Sequence, residues 1–516
     1  MALSEIAVTD SGTRIQNFLD RAGLSDFPWK TATVLYMISW GWMLIVHDSY
    51  WSDDWEIFTE YAKPGDDLLG LAPWYQIVVA LGRVLGTDLS RIFILSSFFL
   101  GGLFLSGILR KCTFLDQKQR QFIVLVFLVL PFNTARVSLM VLHYSLSYLI
   151  FFLAWYLLVN FATRKIFLFS VILFFSSFLM HSLLVFYFLP VLHKFLLSKA
   201  WSVKAILLFA RKNLIVLTLP FIYWVMRSVF WPEKVKYHDV SFSGLFKTIN
   251  FVLVFGSLLL LVFILQLKLV AIKRSLQVVF AGLLCLFFGI IAYVVLGFFP
   301  PNWSFILKYF VGFLGRSDFY SRHQTLQPLG LALLIVGVVG LLPKFFQKFT
   351  RQVQVLILAI CSMINVGFGF EYITDYAKQN KVVSELKNIS EENSRINFQF
   401  VDQTTLLNAR GRAYRRRDWQ GLIWLANGVD SMQLSRVATS CELFARPRRA
   451  AQVVKLVLIK GPETHWQALK NWVSDGDMGF KVTVDDTPGA CKPEMVTSER
   501  VSGAIPILFY FTGVKD

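Results

Sequence analysis

The sequence predicts an all-α polytopic membrane protein with about eleven transmembrane helices, followed by a small C-terminal extracytoplasmic α/β domain. Three observations predict this fold class. Only 16% of the 516 residues are charged, against roughly 25% in soluble domains, while 55% are hydrophobic and 50 are phenylalanine. The apolar residues form blocks long enough to cross a bilayer. After residue 370 the composition changes abruptly, and residues 371–516 contain 20 basic and 17 acidic side chains.

The apolar blocks account for the predicted helices in chain order. Two of them, 121–135 and 166–179, are shorter than the ~20 residues that a perpendicular span needs. Residues 1–30 precede the first block and suit either a helix on the membrane surface or a disordered cytoplasmic leader. The predicted spans are 31–47, 91–109, 121–135, 139–159, 166–179, 182–197, 213–230, 248–267, 277–297, 327–343 and 353–370.

Lysine and arginine in the short connecting loops predict the orientation. Alternate loops carry seventeen basic residues and one acidic residue, and basic loops remain in the cytoplasm. We therefore expect a cytoplasmic N-terminus and an external tail. Topology then explains most of the net charge of +18, so the lipid bilayer is an expected partner and nucleic acid is not. The basic loops are 110–120, 164–165, 194–212, 268–274 and 344–351.

The tail, residues 371–516, follows the membrane module 31–370 as a predicted domain of its own. Apolar runs at 398–401, 453–459 and 505–510 suit strands, and 464–474 suits a helix. Cys441 and Cys491 are the only cysteines of the tail, and an oxidising compartment would let them form a disulfide. Two unpaired buried cysteines are the alternative.

Arginine clusters at 410–417 and 446–449 allow two interpretations. They suit binding of an acidic glycan or lipid headgroups, with Tyr414 and Trp419 stacking on sugar rings. The interpretation we favour is a solvated face paired with the acidic residues of the tail. Trp466, on the predicted helix 464–474, is expected in the core.

The first external loop, 48–90, is the acidic exception in the chain, with eight acidic and two basic residues. It places Asp53 and Asp54 side by side between Trp51 and Trp55, at the depth where aromatic rings mark the bilayer interface. Carboxylates there are costly unless they line a hydrated cavity, hold a cation or take part in chemistry. Asp53 capping a helix is the alternative, but a cap needs only one acid.

These motifs together resemble the GT-C superfamily of integral-membrane glycosyltransferases. The family places an acidic pair directly after the first span. Here Pro73-Trp74-Tyr75-Gln76 resembles its juxtamembrane helix, and Ser90-Arg91 opens a second span as in that family. In the late external loop, 298–326, the run Tyr320-Ser321-Arg322-His323-Gln324 followed by Pro328 resembles the family's Arg-Tyr-x-x-x-Pro element, with His323 where Tyr is commoner.

The resemblance implies a hexosyltransferase of the bacterial inner membrane. It would move a sugar from polyprenyl (undecaprenyl) phosphate to an extracytoplasmic glycan. Among its members the chain looks like the serotype-converting glucosyltransferases of O-antigen lipopolysaccharide, and a similarity to protein O-mannosyltransferases or to lipid A aminoarabinose transferases stays open. A transporter or flippase of lipid-linked saccharide and a glycan polymerase are the alternatives. A transporter is expected to show internal repeats and broken helices, and the sequence shows no convincing duplication.

Each candidate residue has an expected role in that transfer. Asp53 or Asp54 would accept the proton of the acceptor hydroxyl, and the two carboxylates would suit a divalent cation such as Mg²⁺ or Mn²⁺, although some members of the family need no metal. A guanidinium suits the leaving phosphate, so Arg322 leads that group. The further candidates are His323, Lys308 and Arg136 for the donor phosphate, and Asp48, Tyr320 and Trp55 for substrate.

Overall fold

A computed structural model of the chain is largely helical. The described residues are 20, 23–46, 49–51, 54, 72–198, 202–232, 242–295, 319–342, 349–390, 396–402, 404, 407–409, 414, 416–427, 437–438, 452–459, 465–475 and 481–485. The helices before residue 200 are α1 (Trp29–Trp40), α2 (Trp74–Leu109), α3 (Gln117–Val129), α4 (Leu142–Asn160), α5 (Arg164–Ser177), α6 (Ser182–Phe186) and α7 (Phe188–Leu197). They are followed by α8 (Val203–Lys212), α9 (Leu214–Phe230), α10 (Phe242–Lys268), α11 (Lys273–Val295), α12 (Gln327–Leu341) and α13 (Thr350–Ser390).

Five of the described helices are long and apolar enough to cross a membrane, or six if the bent pair α8 and α9 forms one span. The chain is therefore a membrane protein, but eleven crossings stay a prediction. Each predicted block does contain a helix. Several are too short because turns and 3-10 segments interrupt the apolar runs, as at Gly41–Leu44 after α1. The five spans are Trp74–Leu109, Leu139–Asn160, Leu245–Lys268, Lys273–Val295 and Thr350–Lys387.

The helix boundaries follow local chemistry. Asp116 begins α3 with a capping box, in which its carboxylate accepts from the backbone of Gln119 and the Gln119 side chain accepts from the backbone of Asp116. Within α2, Gly86 has a φ of +68°, a conformation that glycine adopts at no steric cost. It divides α2 into residues 74–85 and 87–109, and a juxtamembrane position for the first part stays a prediction.

Polar side chains inside the bundle pair with neighbouring helices. The Trp40 indole donates to the carbonyl of Leu128 at 3.1 Å, joining α1 to α3. The Asn365 amide donates to the carbonyl of Val129 at 2.7 Å, joining α13 to the same helix. Buried polar groups require such partners in an apolar medium, so α1, α3 and α13 form one packed unit.

The first two predicted cytoplasmic loops and the segment before α1 lie at one end of the bundle. Arg120, after the first basic loop, makes an ion pair with Asp26 at 2.8 Å, before α1. At the same end Asn160 donates to the carbonyl of Gly107 at 3.2 Å. The described parts of the predicted external loops meet at the opposite end. Which side of the membrane each end faces stays a prediction.

A four-stranded sheet follows α13, in the order β2-β1-β3-β4. β1 pairs in parallel with β2 and β3, whereas β3 and β4 are antiparallel. The strands at 396–402 and 452–459 and the helix at 465–475 lie where the sequence predicts them; the run 505–510 lies outside the described residues. The elements are β1 (Ile396–Asp402), α14 (Arg416–Asn427), β2 (Val437–Ala438), β3 (Gln452–Ile459), α15 (His465–Asp475) and β4 (Lys481–Asp485).

The burial of three aromatic residues in the tail differs from what the sequence led us to expect. The Trp419 ring stacks on the Phe400 ring at 4.2 Å, and the Tyr414 ring packs against Trp419. Both Tyr414 and Trp419 are therefore buried and do not offer a face to a sugar. The expectation that Trp466 lies in the core is wrong, because 55% of it is exposed. Its ring lies edge-on to Phe370, at the end of the last apolar block.

Candidate active site

Asp54 is fully buried and its carboxylate bonds to residues from two parts of the chain. Oδ1 accepts from the hydroxyl of Ser138 and, at 2.8 Å, from the backbone N–H of Met140. Oδ2 accepts from the backbone N–H of Trp51 at 3.1 Å. The acidic pair predicted from sequence is therefore fastened, through Asp54, to a segment 86 residues further along the chain.

Burial dominates the protonation of this carboxyl. It raises the pKa of Asp54 from the ordinary 3.8 to about 6, although the hydrogen bonds from Ser138, Met140 and Trp51 act in the opposite direction. A carboxylate that titrates near neutral pH is suited to accept a proton from a hydroxyl.

The segment that holds Asp54 is also bonded to the late external element. Residues Thr134–Val137 and Leu139–Val141 form two short 3-10 turns between α3 and α4. The Ser321 hydroxyl accepts from the backbone N–H of Ala135 at 2.8 Å and lies 3.2 Å from the hydroxyl of Thr134. Three segments, namely the first external loop, the two turns at 134–141 and the element Phe319–Gln324 of the late external loop, thus meet at one place.

Arg322 and His323 are both buried within this junction. The His323 ring lies 4.8 Å from the ring of Tyr293, near the end of α11. The guanidinium of Arg322 is close enough to His143, at the start of α4, to act on it electrostatically. The structure therefore places a cationic group on the same connected set of elements as Asp54.

Arg136 is turned into the bundle. Its guanidinium carbon lies 3.6 Å from the centre of the Trp40 ring and 4.4 Å from that of Phe98. It donates to the carbonyls of its own turn, Phe132 at 3.0 Å and Asn133 at 3.2 Å. These contacts hold the turn 131–138, and a contact between Arg136 and a donor phosphate stays a prediction.

Other predicted residues lie outside what the structure describes. Among the described residues no cluster of three or more His, Cys, Asp or Glu side chains could hold a metal ion. Since Asp53 is not among them, the cation site at the acidic pair stays a prediction. The predicted residues outside the described set are Asp48, Asp53, Trp55, Lys308, Cys441, Cys491 and the side chain of Tyr320.

Arg91 is the residue of the site that sequence reasoning missed. It is 1% exposed, and its guanidinium donates to the carbonyls of Val46 and Ser49 and, at 3.2 Å, of Val137. It also lies 5.0 Å from the centre of the Trp51 ring. The sequence shows an arginine at the start of a span, which is an ordinary interfacial position. Its three carbonyl partners become apparent only in the folded chain.

The comparisons with known proteins add no relative. No family model matches the chain, and neither a curated protein nor a solved structure matches it.

Proposed function

We propose that the protein is a GT-C-type glycosyltransferase of the bacterial inner membrane. It transfers a hexose from polyprenyl phosphate to an extracytoplasmic glycan such as the O-antigen of lipopolysaccharide. The N-terminus is cytoplasmic in this proposal, the chain crosses about eleven times, and residues 371–516 form a periplasmic domain.

The observation that carries the proposal is the connection between the acidic segment and the late element. Asp54 bonds to Ser138 and Met140, and Ser321 bonds to Ala135 in the preceding 3-10 turn of the same connection between α3 and α4. A carboxylate and Arg322, the residue next to Ser321, therefore belong to one connected set of segments, although they come from distant parts of the chain. Transfer from a lipid phosphate needs both kinds of group within one site.

The reaction assigns one task to each group. The acceptor hydroxyl oxygen attacks the anomeric carbon, and the bond from that carbon to the phosphate oxygen breaks. The hydroxyl proton passes to a carboxylate of the Asp53–Asp54 pair. The polyprenyl phosphate leaves as an anion and is stabilised by the guanidinium of Arg322, since a planar fork of donors matches phosphate oxygens.

Single and double substitutions of the acidic pair test this function. Membranes containing D53N, D54N or D53N/D54N are supplied with a polyprenyl phosphate sugar and a lipopolysaccharide acceptor, and incorporated sugar is measured. Loss of a general base lowers the rate about 10²–10⁴-fold. D88N is the matched control, because Asp88 is an exposed acid of the same predicted loop. Full activity of the double variant would exclude the pair as the base.

An arginine variant tests the phosphate contact separately. R322K keeps the positive charge but loses the bidentate geometry, so we expect slower transfer and a higher KM for the donor. The transporter alternative predicts two results. The parent protein would move lipid-linked sugar across the vesicle membrane without transferring the sugar, and D53N/D54N would still do so.

A further inference from the structure

The segment that leads to Asp54 is irregular backbone, and other helices satisfy its carbonyls. The guanidinium of Arg91, on α2, donates hydrogen bonds to the carbonyls of Val46 and Ser49. The carbonyl of Tyr50 accepts from the side-chain amide of Gln379 at 3.3 Å, on α13. Irregular backbone near a bilayer persists only where protein groups satisfy it. The segment is therefore held from two sides, and one of these sides is the helix that leads into the tail.

α13 is longer than a membrane span requires. Its 41 residues extend over about 60 Å, roughly twice the hydrocarbon thickness. The part of α13 near and beyond the end of the last apolar block contacts both the end of the first predicted span and the segment that follows it. The Tyr372 ring stacks on Trp42 at 5.2 Å and meets the Trp51 ring edge-on at 5.4 Å. Gly369 lies so close to Trp42 that an added Cβ would be 2.6 Å from its side chain.

The same part of α13 is joined to the tail by buried charged groups. Asp375 accepts from the backbone N–H of Ala409 at 2.8 Å, from the hydroxyl of Tyr414 and from the Gln379 amide at 3.2 Å. The Gln379 amide that holds Tyr50 is thus itself held by a carboxylate that the tail fixes in place.

Lys378 makes the second connection, one residue away from Gln379. Its ammonium donates to Asp402 at 2.7 Å, at the end of β1, and to Asn408 at 2.6 Å. Lys378 is completely buried, so these bonds compensate a charge that water does not reach. Both connections lead from the tail to one turn of α13.

We infer that Tyr372 and Gln379 are positioning residues, through which the tail holds the acidic segment in place. The tail sheet fixes the turn of α13 at Asp375 and Lys378, and Gln379 and Tyr372 beside that turn hold the backbone carbonyl of Tyr50 and the ring of Trp51. The N–H of Trp51 in turn donates to Asp54. The role in catalysis rests on the proposed function, whereas the mechanical hold does not.

Hydrogen exchange of the full chain in lipid nanodiscs tests the hold directly. Q379L removes the donor to Tyr50, and D402N weakens the connection to the tail. We expect both variants to raise amide exchange in a peptide covering 46–54, by about tenfold for one lost hydrogen bond. Exchange in α4 should stay at the parent level. Q352L is the matched control, since Gln352 is an exposed residue of the same helix.

The outcomes separate clearly. Unchanged exchange in 46–54 for both variants would overturn the inference, and so would an equal rise in α4, because that indicates general destabilisation. Y372L removes a separate contact with the same segment, the one to the Trp51 ring, and should behave like Q379L.

A transfer assay forms the second arm of the test. Q379L and Y372L should lower kcat with the donor KM unchanged, because they displace the acidic segment and leave the Arg322 element in place. Equal losses in both parameters would overturn a positioning role in catalysis. If exchange responds as expected but the parent protein transfers no sugar, the proposed function fails and the hold of the tail on the segment stands.

Discussion

Replacing Gly282 by alanine perturbs the contact that sets the distance between α11 and α12. A Cβ at this position would lie 2.8 Å from the backbone nitrogen of Leu334 and 2.9 Å from the carbonyl oxygen of Gly330. Optimal heavy-atom contacts lie near 3.5–4.0 Å, so the helices must separate by about 0.7 Å. Overpacking of this kind costs about 1–3 kcal/mol, whereas alanine in place of a helical glycine gains ~1 kcal/mol.

The net loss of about 1 kcal/mol should lower the melting midpoint of the detergent-solubilised protein by about 1 °C, because the entropy of unfolding grows with chain length. G256A provides the control, because a Cβ at Gly256 in α10 meets nothing within 4 Å and retains the gain in helix propensity. G289A extends the test to the site. Its Cβ would lie 3.0 Å from the carbonyl oxygen of Leu326, next to the Phe319–Gln324 element, so it should also slow transfer. Equal midpoints for G282A and G256A would refute the reasoning.

Three further predictions concern charged groups. Because burial raises the pKa of Asp54 to about 6, its contribution to stability is complete below about pH 4 and is lost as the pH rises through 6. If Asp54 is the base, the transfer rate should rise as the pH increases through about 6, and D54N should remove this rise from the pH–rate profile. R91M should lower the free energy of unfolding by about 1–3 kcal/mol for each carbonyl that loses its donor. R91K should restore part of that loss. R83M is the control, because Arg83 is an exposed arginine of the same helix. Burial acts to raise the pKa of Asp402, but the Lys378 ammonium and bonds from Thr404 lower it below its ordinary value, so this pair loses stability as the pH falls below about 4. K378M/D402N should melt higher than the sum of the single losses predicts, measured as a double-mutant cycle.

Hydropathy predicted the helices well because it reports contact with lipid, but it does not report where a helix ends. The last apolar block was expected to end at residue 370, whereas α13 continues to Ser390. Residues such as Glu371, Lys378 and Gln379 change the polarity without opposing helix formation. The domain boundary predicted at residue 371 therefore falls inside a continuous helix.

The candidate site was predictable as separate parts. Paired carboxylates between tryptophans and an arginine before a proline are visible in sequence, since they depend on residue type. Arg91 was missed because its partners are backbone carbonyls, which every residue possesses. Tyr414 and Trp419 left two interpretations open, and the packing of Trp419 on Phe400 and of Tyr414 on Trp419 decides for the core.

The contacts that assemble the site are also contacts that stabilise the fold. Asp54 bonds to residues 138 and 140 of the connection between α3 and α4, and Ser321 bonds to Ala135 of the same connection, 186 residues earlier in the chain. None of these irregular segments satisfies its polar groups alone, and each does so with the others. A variant at any of them therefore changes stability as well as geometry, and loss of activity alone cannot distinguish the two. The pH profile of D54N and the separate kcat and KM of Q379L make that distinction, because a merely less stable protein loses rate at every pH and for every substrate.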